Sequence, residues 1–246
     1  MGDEKKITKK YFEETKAKAE KGNKIAQFFL GMMYDNGEGV LEDDKEALKW
    51  FRKAADQGYA DAQNGLGRMY DFGKGVLEDD KEAVKWYRKA AEQGDAETQY
   101  NLGNMYANGE GVAKDFKEAV KWCRKAAEKG HVKAQYNLGS MHFYGFFGKG
   151  VEKDFKEAAK WWRKAAEQGD AKAQNNLGVM YSNSQGVEKD NVTAYAWSNI
   201  ATANGSERSR ERKSLIAKEM TPEQISKAKA LSKEMVKKNP KLIKKP

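Results

Sequence analysis

Side chains able to do chemistry are sparse in this sequence and stand at spacings that suit structure better. It has two histidines, His131 and His142, and neither falls in a metal-ligand spacing such as His-Glu-x-x-His. His131 takes a place held by Tyr59 or Asp95 elsewhere in the chain, and His142 a place otherwise held by tyrosine, so both read as structural. Adjacent acids at Asp43/Asp44 and Asp79/Asp80 have the residue types of a general acid and base, but they stand where helices start, and capping accounts for them. Asp71-Phe72-Gly73 copies a kinase triplet with no Gly-rich or catalytic loop beside it. Gly73-Lys74-Gly75 lacks the hydroxyl residue and upstream glycine of a phosphate loop. No residue is therefore assigned a catalytic, cofactor-binding or metal-binding part, and the chain is read as non-enzymatic.

Any site must instead be positioned by a repeated unit. Trp-x-Arg-Lys-Ala-Ala-x-x-Gly occurs four times, from Trp50, Trp86, Trp122 and Trp161, and a Leu-Gly pair stands at 30/31, 66/67, 102/103, 138/139 and 177/178. The first three steps are 36 residues and the fourth is 39. A unit this short cannot bury its apolar face alone, so copies must stack, and function must lie in a surface. Ala26, Leu30, Met33 and Tyr34 fall at helical spacing and predict a first helix near Lys24 to Asp35. Gly31, Gly67, Gly103, Gly139 and Gly178 sit inside that helix at a cost of about 1 kcal/mol each, which points to a neighbouring helix passing close. After the two-glycine loop Asn-Gly-Glu-Gly-Val (36–40), Asp43 with Glu46 predicts a second helix opened by a reciprocal capping box, repeated at Asp79/Glu82, Asp115/Glu118 and Asp154/Glu157. Its inner face carries Ala47, Trp50 and Ala54, and Gly58 stops it. Trp50, Trp86, Trp122, Trp161 and Trp197 share one register. They are either cement between helices or an exposed row for stacking bases, and the core reading is preferred because indole burial is so stabilising.

Composition narrows the class further. Charged residues at 34% and a mean hydropathy of −0.94 lean toward disorder, but 11% aromatics at fixed intervals argue for a thin, ordered, helix-rich body. The single cysteine, Cys123, excludes an intrachain disulfide framework. No stretch approaches the roughly 20 apolar residues of a membrane span. Met-Gly-Asp-Glu-Lys-Lys at the start has no apolar signal core, so a cytoplasmic setting is the expectation, with a periplasmic or secreted mature form the alternative. Residues 207–246 hold 13 Lys and Arg against 5 Glu, which leaves the repeats nearly neutral within the total of +9. Attraction to nucleic acid or anionic lipid would have to act through that segment.

The signature Ala-Gln-x-x-Leu-Gly-x-Met-Tyr-x-x-Gly-x-Gly-Val-x-x-Asp, followed by the Trp and Arg-Lys-Ala-Ala block as at Ala62 to Gly94, resembles the Sel-one-like repeat (SLR) family, relatives of the tetratricopeptide repeats. The resemblance covers about Lys24 to Gly205. It implies an all-α fold, a right-handed α/α superhelical solenoid, used as an adaptor or scaffold in protein complexes and widespread in bacteria. Cysteine-rich members carry a disulfide in each unit and have been linked with penicillin binding; this chain has no such cysteine pairs. The expected organisation is an N-terminal capping helix (1–23) with Tyr11 and Phe12, units at 24–59, 60–95, 96–131, 132–170 and a degenerate 171–206, and basic C-terminal capping helices and tail (207–246). Thr221-Pro222-Glu223-Gln224 opens the last helix, whose Ile225, Ala228, Leu231 and Met235 form one stripe that caps the array.

Candidate binding residues are those on the first helix that vary while packing positions do not. Before each Leu-Gly pair stand Phe28/Phe29, Asn64/Gly65, Tyr100/Asn101, Tyr136/Asn137 and Asn175/Asn176; after it stand Met32, Arg68, Asn104, Ser140 and Val179. In the related tetratricopeptide modules such positions line the concave groove. By resemblance Asn64, Arg68, Tyr100, Asn101, Asn104, Tyr136, Asn137, Asn175 and Asn176 would hold a peptide's main chain and side chains, an amide offering both donor and acceptor. The alternative is that these asparagines make local helix-to-helix hydrogen bonds. Phe143, Tyr144, Phe146 and Phe147 stand in a glycine-flanked loop longer than its counterparts, either tucked against helices or offered to a partner.

The leading function is a protein-interaction scaffold holding a peptide or partner protein, with no small-molecule substrate. A binder of nucleic acid or membrane surface through the basic segment is a second class, which salt would weaken steeply. The third is a penicillin-related hydrolase, suggested only by the Ser-x-x-Lys form of Ser226-Lys227-Ala228-Lys229 without its companion motifs.

Overall fold

The computed structural model describes residues 2–145 and 152–244, with side chains from residue 9 onward. Thirteen helices and no strand occur among the described residues: α1 (Gly2–Glu20), α2 (Lys24–Asn36), α3 (Asp44–Asp56), α4 (Ala60–Asp71), α5 (Asp80–Glu92), α6 (Ala96–Asn108), α7 (Phe116–Glu128), α8 (Val132–Tyr144), α9 (Phe155–Glu167), α10 (Ala171–Asn183), α11 (Asn191–Ala203), α12 (Glu207–Ala217) and α13 (Pro222–Lys238). They fall into two compact units, Met1–Trp122 and Cys123–Pro246, divided within α7.

In the first unit α2 pairs with α3 and α4 with α5, while α1 packs on α2, α3 on α4 and α5 on α6. In the second, α8 pairs with α9 and α10 with α11, α9 packs on α10, and α12 and α13 both cover α11. Each pair is one copy of the repeat. The leucines of the Leu-Gly pairs, Leu30, Leu66, Leu102, Leu138 and Leu177, are fully buried, and each contributes about 1.5–3 kcal/mol of burial.

The mid-helix glycines are required by close approach, as the sequence suggested. A Cβ on Gly31 would stand 2.8 Å from the Phe51 ring, one on Gly67 2.6 Å from Tyr87, one on Gly139 2.4 Å from Trp162, and one on Gly178 2.7 Å from Ser198 Oγ. In each case the blocking side chain follows the register tryptophan of the paired helix or is its immediate neighbour. The five register tryptophans are themselves buried, which settles them as core. Lysine stems close over their outer faces, with Lys53, Lys89 and Lys164 ammonium groups 4.1, 3.9 and 4.4 Å from the ring centres of Trp50, Trp86 and Trp161.

The capping boxes expected at the second helices form only by half. Asp43 Oδ1 accepts from the amides of Lys45 and Glu46 at 3.0 and 3.1 Å, and Asp79, Asp115 and Asp154 act alike. The aspartate's own N–H is already given to the preceding helix, to Tyr34 O from Asp43 and to Tyr70 O from Asp79. Glu46 is thereby released to accept from Lys49 Nζ at 2.8 Å and Trp50 Nε1 at 3.1 Å, an arrangement repeated at Glu118 and Glu157. Both halves of a capping box occur at Thr221 and Gln224, which open α13.

At the N-terminal end, Phe12 is buried edge-on against Tyr34 at 5.6 Å, but Tyr11 is exposed. The α13 stripe divides between two clusters: Ile225 and Ala228 join Tyr195 and Ile216, whereas Met235 joins Trp162 and Trp197.

Candidate functional site

On the first unit, α2 and α4 present a cleft of about 370 Å³ lined by Phe28, Met32, Asn64, Gly65, Arg68 and Phe72, with Asp35, Asp61 and Lys74 at its polar margin. Phe28 is braced from behind, its ring centre 5.8 Å from Phe51 and 5.3 Å from Tyr59. Gly65 brings no side chain, so the floor there is the Phe51 ring, 3.4 Å from where a Cβ would stand. Phe29, Met32 and Phe72 are exposed, and Met32 and Phe72 line the cleft. Asn64 Oδ1 is shut away from solvent with no hydrogen-bond donor, a state that costs about 1–3 kcal/mol until a donor arrives. The loop of the second repeat is anchored by Lys74, whose Nζ lies 2.7 Å from Asp35 and 3.7 Å from Asp44. The Asp35 carboxylate holds the Lys74 ammonium above the usual lysine range.

Of the residues singled out from sequence, Asn64 and Arg68 lie in this cleft. Tyr100, Asn101 and Asn104 sit half-buried on α6. In the second unit, Tyr136 and Asn137 are half-buried on α8, and Tyr136 stacks on Trp162 at 6.4 Å while its carbonyl accepts from Trp162 Nε1 at 3.0 Å. Asn175 Oδ1 accepts from Ser209 Oγ of α12 at 2.9 Å and its Nδ2 donates to Asn176 Oδ1 at 3.4 Å. Phe143 and Tyr144 end α8 rather than stand in a loop: Phe143 packs on Phe155 and Trp162 at 5.1 and 5.0 Å, and Tyr144 is exposed. Phe146 and Phe147 lie outside the described residues.

Sequence reasoning missed Phe72, Lys74 and Asp35. The signal was present, because Phe-Gly-Lys at 72–74 stands where the first and third repeats have Asn-Gly-Glu. In those repeats Asn36 donates to Glu38 and Asn108 to Glu110, bracing the loop internally. The second repeat gives up that brace, turns its lysine to Asp35, and leaves an aromatic ring in solvent.

His142 and, at its repeat position, Tyr70 and Tyr106 each meet an arginine of the preceding repeat. Arg52 and Arg88 each donate to the tyrosine hydroxyl of the following repeat, Tyr70 and Tyr106. In the second unit Arg124 meets His142 Nε2 instead, at 3.3 Å. Burial and then the Arg124 charge lower the His142 pKa below 6.5, and a neutral ring accepting at Nε2 carries its proton on Nδ1. Cys123 is buried, and that burial pushes its thiol up to about 12. Ser226 and Lys229 are both exposed on α13. Among the described residues no cluster could hold a metal ion, and no helix is long and apolar enough to cross a membrane.

The Sel1 repeat profile matches residues 24–59, 60–95, 96–131, 132–170 and 171–206. The chain belongs to the Sel1 repeat family. A protective antigen of uropathogenic Escherichia coli with an SLR fold is 42% identical over 93% of this chain and 49% of that one, with a TM-score of 0.80. A Sel1 repeat protein of Oxalobacter formigenes is 34% identical over 82% of this chain and 57% of that one, with a TM-score of 0.71. The chain thus spans about half the length of these two solved proteins. A Klebsiella pneumoniae Sel1 repeat protein, 23% identical over 84% of this chain and 99% of that one at a TM-score of 0.50, shares the fold. No curated protein matches. Sel1 repeat proteins generally act as protein-interaction scaffolds and are typically non-catalytic.

Proposed function

We propose that this Sel1 repeat protein is a non-enzymatic scaffold that holds an extended segment of a partner protein on the first-helix face, anchored in the α2–α4 cleft. The observation that carries the reading is the exposure of Met32 and Phe72, two large apolar side chains that line one cleft. An apolar side chain of the bound segment would cover the two exposed residues, with Asn64 in the wall beside them. Arg68, exposed at the rim, favours an acidic residue in the bound segment. Tyr100, Asn101 and Asn104 hold the corresponding repeat positions on α6 of the first unit, and Tyr136, Asn137 and Asn176 hold them within the second.

The test is selection of binders from a displayed peptide library, followed by titration against Met32→Ala/Phe72→Ala and Asn64→Ala chains. Selected peptides should pair an apolar residue with an acid, and the double variant should weaken them at least about tenfold, the order of one lost contact of roughly 1.4 kcal/mol. Unchanged affinity in both variants, with helicity intact, defeats the reading. These variants are cleaner than a Tyr100→Ala/Asn101→Ala/Tyr136→Ala combination, since Tyr136 also supports Trp162.

A further inference from the structure

The C-terminal segment of the second unit is held in the manner of a bound peptide. Beyond α13 the chain makes a short 3-10 turn at Pro240–Leu242 and then extends, with Ile243 at φ −109 and ψ 122. Gln174 Nε2 and Asn204 Nδ2 both donate to the Leu242 carbonyl, at 2.8 and 2.7 Å. Asn204 Oδ1 accepts from the Lys244 amide at 3.0 Å. One asparagine thus pairs with a carbonyl and an N–H two residues apart in the same segment, a contact indifferent to side-chain identity. Asn239 Nδ2 donates to the Glu167 carbonyl at 2.8 Å. Leu242 is 2% exposed, in the cluster that holds Trp162 and Leu177, and half-buried Ile243 packs against the same cluster.

The same edge elsewhere in the repeats shows what this segment adds. Gly58, at the turn position of Gly169, has open space where a Cβ would stand; at Gly169 that Cβ would lie 2.6 Å from the Lys241 carbonyl. At the end of the second helix, Gln57, Gln93 and Gln168 donate to Gln27, Gln63 and Gln135 of their own repeats. The fifth repeat carries Asn204 there, one methylene shorter, and its Nδ2 reaches both Gln174 Oε1, at 2.8 Å, and Leu242. Gln168 divides its amide in the same way, between Gln135 Oε1 and the Gly130 carbonyl, so at Asn204 the second acceptor is the returning segment.

We propose that the recess framed by Glu167, Gly169, Gln174 and Asn204 is a peptide-binding site. Its ligand is an Asn-Pro turn that closes on a leucine and runs on as extended backbone. The chain's own tail fills it in cis, and a partner protein's segment of the same chemistry fills it when the tail leaves. The site uses none of the α2–α4 cleft residues and stands without that reading. A tether of this kind holds its segment at an effective concentration on the order of millimolar, so a free peptide meets strong competition until the tail is released.

A fluorescein-labelled peptide with the sequence of residues 237–244 is titrated against the full chain and against its Leu242→Asp variant, which ejects the tail. Anisotropy should show binding at least about tenfold tighter to the variant, in line with removal of the tethered competitor. That binding should vanish when the peptide itself carries Leu242→Asp, and should weaken when Asn204→Ala is added to the chain. If Leu242→Asp lowers helicity, Asn239→Ala/Leu242→Ala takes its place with the same expected outcomes. In the unaltered chain the Lys244 amide should be protected from hydrogen exchange. Equal binding of the two peptides, no binding to a folded tail-released chain, or an unprotected Lys244 amide each overturns the proposal.

Discussion

The first-helix face of the first unit and the terminal hairpin of the second are built from one repeat, yet they leave their side chains in opposite states. Around α2 and α4, Phe29, Met32 and Phe72 are exposed and Asn64 keeps an acceptor without a donor. The loops there also carry Leu41 and Leu77 almost fully in solvent, where the fourth and fifth repeats have Glu152 and Glu188. Around α10 and α11, the amides of Gln174, Asn175 and Asn204 are all engaged by the C-terminal helices and tail. A repeat surface rich in amides and apolar side chains is therefore neutral about its ligand. Around α10 and α11 it is covered because Ser209 and Leu242 return to it.

The comparison breaks most readily at the closed end. Trp162 is buried among Tyr136, Phe143 and Leu242, and Trp162→Ala should cost about 3–5 kcal/mol in chemical denaturation, since the site is too enclosed to collapse fully. A cost below 1 kcal/mol would mean that this end is loosely packed. Next in size is a pair of glycine variants. Gly58 and Gly169 both have positive φ, 76 and 87, so alanine strains each by about 1–2 kcal/mol. Gly169→Ala should cost roughly 1–3 kcal/mol more, because its Cβ also meets the tail. Equal losses in the two melting curves would show that the tail does not rest on Gly169.

A smaller effect is expected from His142. Its folded-state pKa lies below 6.5, so the unfolded chain binds more protons in that window and stability rises with pH there. The contribution is complete above 6.5 and is lost as pH falls through the lowered value. The groups facing it are Arg124, Glu157, Asp154 and Lys160. His142→Tyr, which restores the tyrosine of the other repeats, should flatten this part of the stability profile, and an unchanged slope would assign it elsewhere. Smallest is Phe72→Ala, expected within about 0.5 kcal/mol of the parent in stability because the ring is exposed. Its effect should appear in partner affinity alone, and a large loss of stability would make Phe72 a packing residue.

Two of the residues named from sequence, Asn64 and Arg68, line the cleft, and its other walls went unnamed as a site. Asn64 and Arg68 were identifiable because they vary where packing positions repeat. Phe72 was passed over because its triplet matched an unrelated motif, although its departure from Asn36 and Asn108 was the informative fact. The capping boxes failed for a similar reason: the Asp43 N–H finds Tyr34 O, a contact that no spacing within the second helix reveals. Phe143 was placed in a loop because glycines flank a stretch longer than its counterparts, whereas α8 runs through Tyr144 and Phe143 packs on Phe155 and Trp162.

The amino-acid order alone determined the all-helical hairpins, their 36-residue step, the buried tryptophan register and the glycines that admit a neighbouring ring. Each of these follows from interactions within one repeat, where spacing translates directly into which face meets which. Tertiary structure alone decided which amides are satisfied and which are left waiting. Asn64 and Asn175 stand at the same repeat position, and they differ because Ser209, 34 residues away in the chain, folds back onto the second and nothing donates to the oxygen of the first. Contacts of that range depend on where a distant segment comes to rest, and local periodicity carries no record of it.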